Sequence, residues 1–244
     1  MSTVYVLAHF DDEFCALPLI RQMRAEGRDL RFVYVADYRD PRVAAARLAE
    51  TRAFLAREGF AADAVVHLGA GAGWWDGELV RHAAAARGAL LAALPGPLEG
   101  VVATAWEGGH PDHDICAALA VKLAAARGGP PVDQICLYQG QQMPWILYRA
   151  CWPLAENGPA RAIRLKAGEW LGWMGAVRAF SSQWPVFLGL WPAMFMSFLW
   201  LGEFRYQALD PARIGERPHA GPLHYERMFK VPYETVRAAV DALG

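Results

Sequence analysis

The sequence predicts an α/β fold: a Rossmann-like, mostly parallel sheet with helices on both faces, followed by a less regular, apolar C-terminal part. Three observations predict it. Short apolar runs rich in β-branched and aromatic residues alternate with helix-length segments, roughly one strand–helix unit per 30 residues up to residue 140. Gly or Pro marks many of the junctions. Clusters of His and Asp follow two of the apolar runs, where open parallel sheets place their ligands.

Residues 3–8 (TVYVLA) read as the first strand, too short and too β-branched for a helix. Helical spacing covers 14–26 and stops before Gly27. Residues 31–37 (RFVYVAD) form the second strand. A helix follows over 41–58, with Pro41 in its first turn and Gly59 just past its end. The third strand is 64–68 (AVVHL), the next helix 77–94, the fourth strand 99–106 (EGVVATAW). A helix over 113–128, stopped by Gly128 and Gly129, leads to a fifth strand at 134–139 (QICLYQ). Beyond that the periodicity fades until a short helix near 233–243. No repeat or linker divides the chain, so one domain is expected: 1–140 as the α/β core and 141–244 as a part that shapes the ligand site.

The 244 residues are 55% hydrophobic, with 10 Trp, 11 Phe and 8 Tyr, which suits a sizeable core and not a disordered chain. A formal net charge of -1 lacks the basic footprint of a nucleic-acid binder, and no such partner is expected. Cys15, Cys116, Cys136 and Cys151 show no CxxC spacing and read as buried thiols of a reducing compartment. The N-terminal MSTVYVLAH has neither a basic n-region nor a small-residue cleavage site, so no signal peptide and a cytoplasmic location are expected. Residues 184–201 (WPVFLGLWPAMFMSFLWL) carry no charge over 18 residues, near the lower limit of a membrane span. Pro192 interrupts them, and a lone late span would part the tail from the sheet. A core or flap segment is the preferred reading. Peripheral membrane contact, helped by the aromatic-rich stretch at 144–154, is the second.

The first polar cluster is HFDDE. Asp11, Asp12 and Glu13 crowd together at the end of a buried strand, where their repulsion is strong. The second, WEGGHPDHD at 106–114, brings His110, Asp112, His113 and Asp114 to another strand end. A divalent cation between the two ends resolves the crowding. Imidazole and carboxylate ligands suit zinc or iron(II), and three protein ligands leave a position open for water. A cation lowers the pKa of such a water, and a free carboxylate can take its proton. Asp11 and Asp12 point apart in an extended loop, so one can ligate while the other acts as base. His110 and His113, three apart, can divide in the same way. Spacing leaves open which does which. Singly, each cluster is explained by helix capping; together at strand ends they favour a metal site.

With these motifs in order, the sequence resembles the PIG-L/LmbE-like zinc-dependent N-deacetylases. Ala8-His9-Phe10-Asp11-Asp12-Glu13 is similar to that family's A-H-P-D-D-E, and His110-Pro111-Asp112-His113 to its H-P-D-H. Arg47 and Glu50 resemble its R-x-x-E, Leu68-Gly69 with Asp76-Gly77 its third-strand loop, and Ser182-Gln183 a later S-Q element. The resemblance is strong over 1–140 and thin beyond. It implies His9, Asp12 and His113 as zinc ligands and Asp11 as general base. It implies that His110 stabilises the oxyanion or protonates the leaving amine, and that Asp112 orients a histidine. The implied reaction is hydrolysis of an acetamide on an N-acetylglucosamine-type conjugate. Phe10 departs from the family proline without removing a ligand or base, and reads as a change in loop packing or a pocket wall.

Arg47, Trp74, Trp75 and Asp76 are further candidates for substrate contact. Arg47 and Glu50 could instead be a surface i,i+3 pair, and the tryptophans could pack in a wide loop rather than stack on a sugar. His67, His82, His219 and His224 read as structural or surface residues, although the tail carrying the last two could reach back over the site. Three functions stay in view: the deacetylase, a deacylase of a longer or lipid-linked amide served by the apolar C-terminal part, and a non-hydrolytic sugar-binding member of the fold.

Overall fold

The computed structural model describes all 244 residues. The strands are β1 (Ser2–Leu7), β2 (Asp29–Tyr34), β3 (Val65–His67), β4 (Leu98–Thr104), β5 (Val132–Ile135), β6 (Tyr138–Gln139), β7 (Arg149–Ala150), β8 (Ala160–Arg164) and β9 (Glu203–Ala208). The helices are α1 (Asp12–Cys15), α2 (Leu17–Ala25), α3 (Pro41–Arg57), α4 (Ala83–Ala93), α5 (Pro111–Ala126), α6 (Ala167–Gly175), α7 (Trp184–Leu201), α8 (His224–Met228) and α9 (Tyr233–Asp241).

The main sheet has seven strands in the order β3-β2-β1-β4-β5-β9-β8. The first five are parallel, and β9 and β8 add an antiparallel edge. The α/β prediction therefore holds. Alternation along β1 divides the core: Val4 and Val6 join the cluster packed with α4, α5 and α9, while Tyr5 and Leu7 join the one packed with α2, α3, α6 and α7. Strand order reverses between β1 and β4. Such a switch point opens a crevice at the carboxyl ends of the two strands, and both polar motifs leave from there.

Several elements differ from the sequence expectation. The helix expected over 14–26 breaks at Ala16, ahead of Pro18, into α1 and α2. The one expected over 77–94 starts only at Ala83, after a 3₁₀ turn at Leu79–Arg81. The backbone N–H groups of Gly77 and Leu79 donate to the Asp112 carboxylate, so those residues are drawn out of a helix. The fifth strand ends at Ile135, because the Leu137 and Tyr138 N–H groups donate to the buried Glu107 side chain at 2.8 and 3.0 Å. Tyr138–Gln139 then pairs with Arg149–Ala150 as a separate small sheet. The C-terminal part is more regular than its sequence suggests, since it supplies two strands of the main sheet.

Residues 184–201 form one helix. Phe187, Leu190, Met194 and Phe198 pack into the core, while the rest of the circumference is largely open. The helix is a core element along one face only. All four cysteines are buried and free.

Candidate active site

After β1 the chain turns sharply into α1. Asp11, at the N-cap of α1, has φ 131°, a conformation rare for a residue with a side chain and worth on the order of 1–3 kcal/mol of strain. Glu13 holds the turn by accepting the Asp11 N–H at 3.0 Å. Glu13 is fully buried, and burial pushes its pKa up to about 7. The third acid of the motif thus supports the loop from beneath. Asp12 Oδ2 accepts the N–H groups of Ala8 and His9, both at 2.9 Å, and Oδ1 lies 3.3 Å from His113 Nε2.

These two neighbouring acids are driven apart. Burial opposes the charge on Asp12, but His113 and His9 outweigh it and hold its pKa low. Burial and the Asp12 charge push Asp11 well above the usual carboxylate range, with His9 pulling the other way. Phe10 is buried against Tyr34, Tyr38 and His67, so it is loop packing and not a cavity wall.

The second loop leaves β4 through Gly109, where a Cβ would come within 2.0 Å of the Tyr138 carbonyl oxygen, so only glycine fits. His110 caps α5, and its Nδ1 accepts the Asp112 N–H at 3.2 Å. In the neutral ring the proton therefore sits on Nε2. Burial and the adjacent His9 charge lower the pKa of His110 to about 3. Asp112 Oδ2 lies 3.2 Å from His9 Nε2. A carboxylate can only accept, so His9 Nε2 donates and Nδ1 is left for another partner.

Asp76 Oδ1 approaches His9 Nε2 at 3.1 Å and His110 Nε2 at 3.7 Å. Burial opposes its charge, but His9, His110 and Arg47 hold its pKa well below the usual range. Burial likewise lowers the pKa of His9, yet Asp76 and Asp112 raise it well above the usual histidine value. The carboxylates thus favour a positive charge at His9, one that a bound cation would supply in place of the second ring proton.

The ligand atoms of His9, His110 and His113 lie within 4.8 Å of one another, as do those of His9, Asp76, His110 and Asp112. Both ring nitrogens of His113 are buried without a hydrogen bond. An unpartnered ring nitrogen with a free lone pair, beside an ionised carboxylate, fits a metal ion.

The shared cavity is about 230 Å³. Of the residues expected in the site, it brings together His9, Asp11, Asp12, Arg47, Asp76, His110 and His113, with Asp112 immediately behind His9. Arg47 stacks its guanidinium 4.5 Å over the Tyr38 ring and leaves a buried Nε without a partner. Glu50 forms no pair with Arg47. It accepts from the Ser181 and Ser182 hydroxyls and the Ser182 N–H at 2.6–2.8 Å, joining the R-x-x-E and S-Q elements.

The two tryptophans stand elsewhere. Trp74 is buried in the core, its carbonyl accepting the Asp37 N–H at 2.7 Å, and Trp75 faces a separate groove beside Arg39. Neither offers a stacking platform in the cavity. The tail does reach back: the His224 N–H donates to the Gly108 carbonyl at 2.8 Å, and Phe229 meets the His110 ring edge-on at 4.4 Å. Cys15, Leu137, Tyr138, Val186, Leu190 and Phe229 also line the cavity, and none of them was singled out as a site residue from the sequence. Leu137 and Tyr138 stand at the end of the fifth predicted strand, and Val186 and Leu190 in the segment expected as core or flap.

Residues 4–124 match the PIG-L family model, described as GlcNAc-PI de-N-acetylase. No curated protein matches the chain. The fold is similar to that of the zinc-inhibited form of teicoplanin deacetylase Orf2, at 15% identity and TM-score 0.61, over 86% of this chain and 99% of that one. It is also similar to the conserved protein TT1542 from Thermus thermophilus, at 18% identity and TM-score 0.56, over 86% and 95%. GalB, the 4-carboxy-2-hydroxymuconate hydratase from Pseudomonas putida, shares the fold more distantly, at 17% identity and TM-score 0.50, over 86% and 95%. At these identities the structural likeness establishes the fold, while the family match covers both polar motifs. Through residues 4–124, which hold His9 to Glu13 and His110 to His113, the chain belongs to the PIG-L family of de-N-acetylases.

Proposed function

We propose that the protein is a metal-dependent amidohydrolase that removes the N-acetyl group from an N-acetylglucosamine-type amino-sugar conjugate. The observation that carries this reading is the meeting of Asp12 and His113 from the first turns of two separate helices, beside a second carboxylate, Asp11, whose proton affinity is raised. His9, Asp12 and His113 would hold the metal, and this donor set suits zinc or iron(II). Such an ion, when bound, polarises the amide carbonyl and lets water lose a proton near neutral pH.

Asp11 takes that proton as general base, a role favoured by its raised pKa. His110, neutral and protonated on Nε2, donates to the carbonyl oxygen as negative charge develops there. Asp112 holds His9 in one tautomer. Asp11 then returns the proton to the departing nitrogen, so one amide and one water become acetate and a free amine. Arg47 and Asp76, on the cavity wall, meet the sugar hydroxyls. The four buried free thiols suit the cytoplasm.

The test is metal content of the wild type and of His113→Ala, read with acetate release from N-acetylglucosaminides after reconstitution with zinc or iron(II) separately. About one metal per chain, lost in the variant together with acetate release, is expected. No metal in either protein after reconstitution refutes the mechanism. Metal without acetate release directs attention to a longer acyl or lipid-linked amide. The apolar wall of Leu137, Val186, Leu190 and Phe229 favours that second reading. A non-hydrolytic sugar-binding role is disfavoured by the intact base and ligand set.

A further inference from the structure

We propose that the outer face of α7 and the turn at 144–147 form a docking surface for a lipid bilayer containing anionic lipid. This surface is independent of the hydrolase chemistry. Trp184 and Trp200, 64% and 83% exposed, stand at the two ends of α7, roughly 24 Å apart at the rise of a helix. Leu188, Met196 and Leu199 lie exposed between them. The Tyr148 hydroxyl packs at Gly189, so the adjoining turn extends the surface with Trp145, 84% exposed, Ile146 and Leu147. No charged residue occurs from 179 to 202. Soluble monomers rarely leave so large an apolar area open.

The turn is held in place. Trp145 has φ 56°, a left-handed conformation costly for an aromatic residue, and Arg227 donates to the carbonyls of Met143 and Trp145 at 2.7 and 2.9 Å. Strain and three ordered carbonyl contacts, including Arg227 to Pro222, are thus spent on presenting a tryptophan to the outside.

The charge around the patch identifies the partner. Arg149 and Arg227 flank the turn, and Arg164 and Lys166 flank the far end, where Leu165 and Ala167 lie beside Leu199 and Glu203 pairs opposite Arg164. From residue 141 to 202 there are five basic residues (Arg149, Arg161, Arg164, Lys166, Arg178) and two acidic ones (Glu156, Glu169), a balance of +3 in a chain of net charge -1. An apolar strip with tryptophans at its ends and cations at its rim matches the interface of an anionic bilayer. A second copy laid on the same strip would bring like cationic rims together.

The helix lies on the membrane and does not cross it. Phe187, Leu190, Met194 and Phe198 fix its inner face to the core along its length, and β9 follows at once and pairs with β5 and β8. Val186 and Leu190 belong to both α7 and the catalytic cavity, so the cavity opens beside this surface.

The test is sedimentation of the full chain with phosphatidylcholine vesicles and with vesicles enriched in phosphatidylglycerol. Acetate release from a soluble N-acetylglucosaminide is read in parallel, so that failure of docking and failure of the hydrolase reading are separate results. The wild type is expected to sediment with the anionic vesicles and to show blue-shifted tryptophan emission. W145S/L199S/W200S, with an unchanged circular dichroism spectrum, is expected to lose binding on the order of tenfold or more. R164E/K166E is expected to lose the preference for anionic lipid. No sedimentation of the wild type, equal binding to both vesicles, or a wild-type dimer that the triple variant dissociates would overturn the proposal.

Discussion

Asp11 and Asp12 are the same chemical group one residue apart, yet the fold gives them opposite properties. Asp12 is pinned by two N–H groups and a histidine, while Asp11 hangs from a strained cap into the cavity. Asp11→Asn should therefore keep the metal and lower kcat by about 10²- to 10⁴-fold with little change in KM, checked by steady-state kinetics beside metal analysis. These residues were legible in the sequence because buried charges need partners, and both motifs fall at strand ends. Which acid stays charged was not legible, since it follows from the 3.3 Å approach of His113 across 101 positions. Trp74 misleads for the same reason: its burial is decided by the bridge between Asp37 and Trp75.

At the scale of elements, loops that approach one another closely have replaced the regular structure their sequences suggest. The stretch 77–82 has a helical pattern, but Asp112 captures its N–H groups. The strand after Val132 is cut short by Glu107. Sequence periodicity reports local preference and carries no record of a distant carboxylate. Gly109→Ala should displace the His110 loop against Tyr138, with loss of activity and a stability cost of about 2 kcal/mol or more, measured by denaturant unfolding. Glu50→Ala frees Ser181 and Ser182 at the entrance to α7. It should speed proteolytic cleavage near 176–184 while leaving the far-UV spectrum unchanged.

For the whole molecule, the parallel core was predicted and the antiparallel edge was not, because β8 is largely exposed and lacks a continuous apolar run. One global property follows from acids buried beneath the site. Burial, opposed by the N–H groups of Gly108 and Glu107, holds the pKa of Asp114 at about 7. The unfolded value is near 3.9, so the folded chain keeps a proton that the unfolded chain releases. Stability should then fall as pH rises from about 4 to about 7. Asp114→Asn retains an oxygen for both N–H groups and should flatten that fall, as compared by urea unfolding at about pH 5 and about pH 8. Phe198→Ala removes a side chain lodged between α7 and Trp173, at a cost of about 3–5 kcal/mol read from the same unfolding curves.

The pairing of Arg164 with Glu203 means that α6 and α7 lie within the loop of a single edge hairpin. Both ends of this 38-residue excursion, residues 165–202, emerge at neighbouring positions on the sheet. It is a cassette: a relative could exchange it for another of different length without moving a metal ligand or changing the register of β1 to β5. Because the cassette carries both Val186 and Leu190 of the cavity wall and the outward tryptophans, one exchange would remake the cavity wall and the exposed apolar face together.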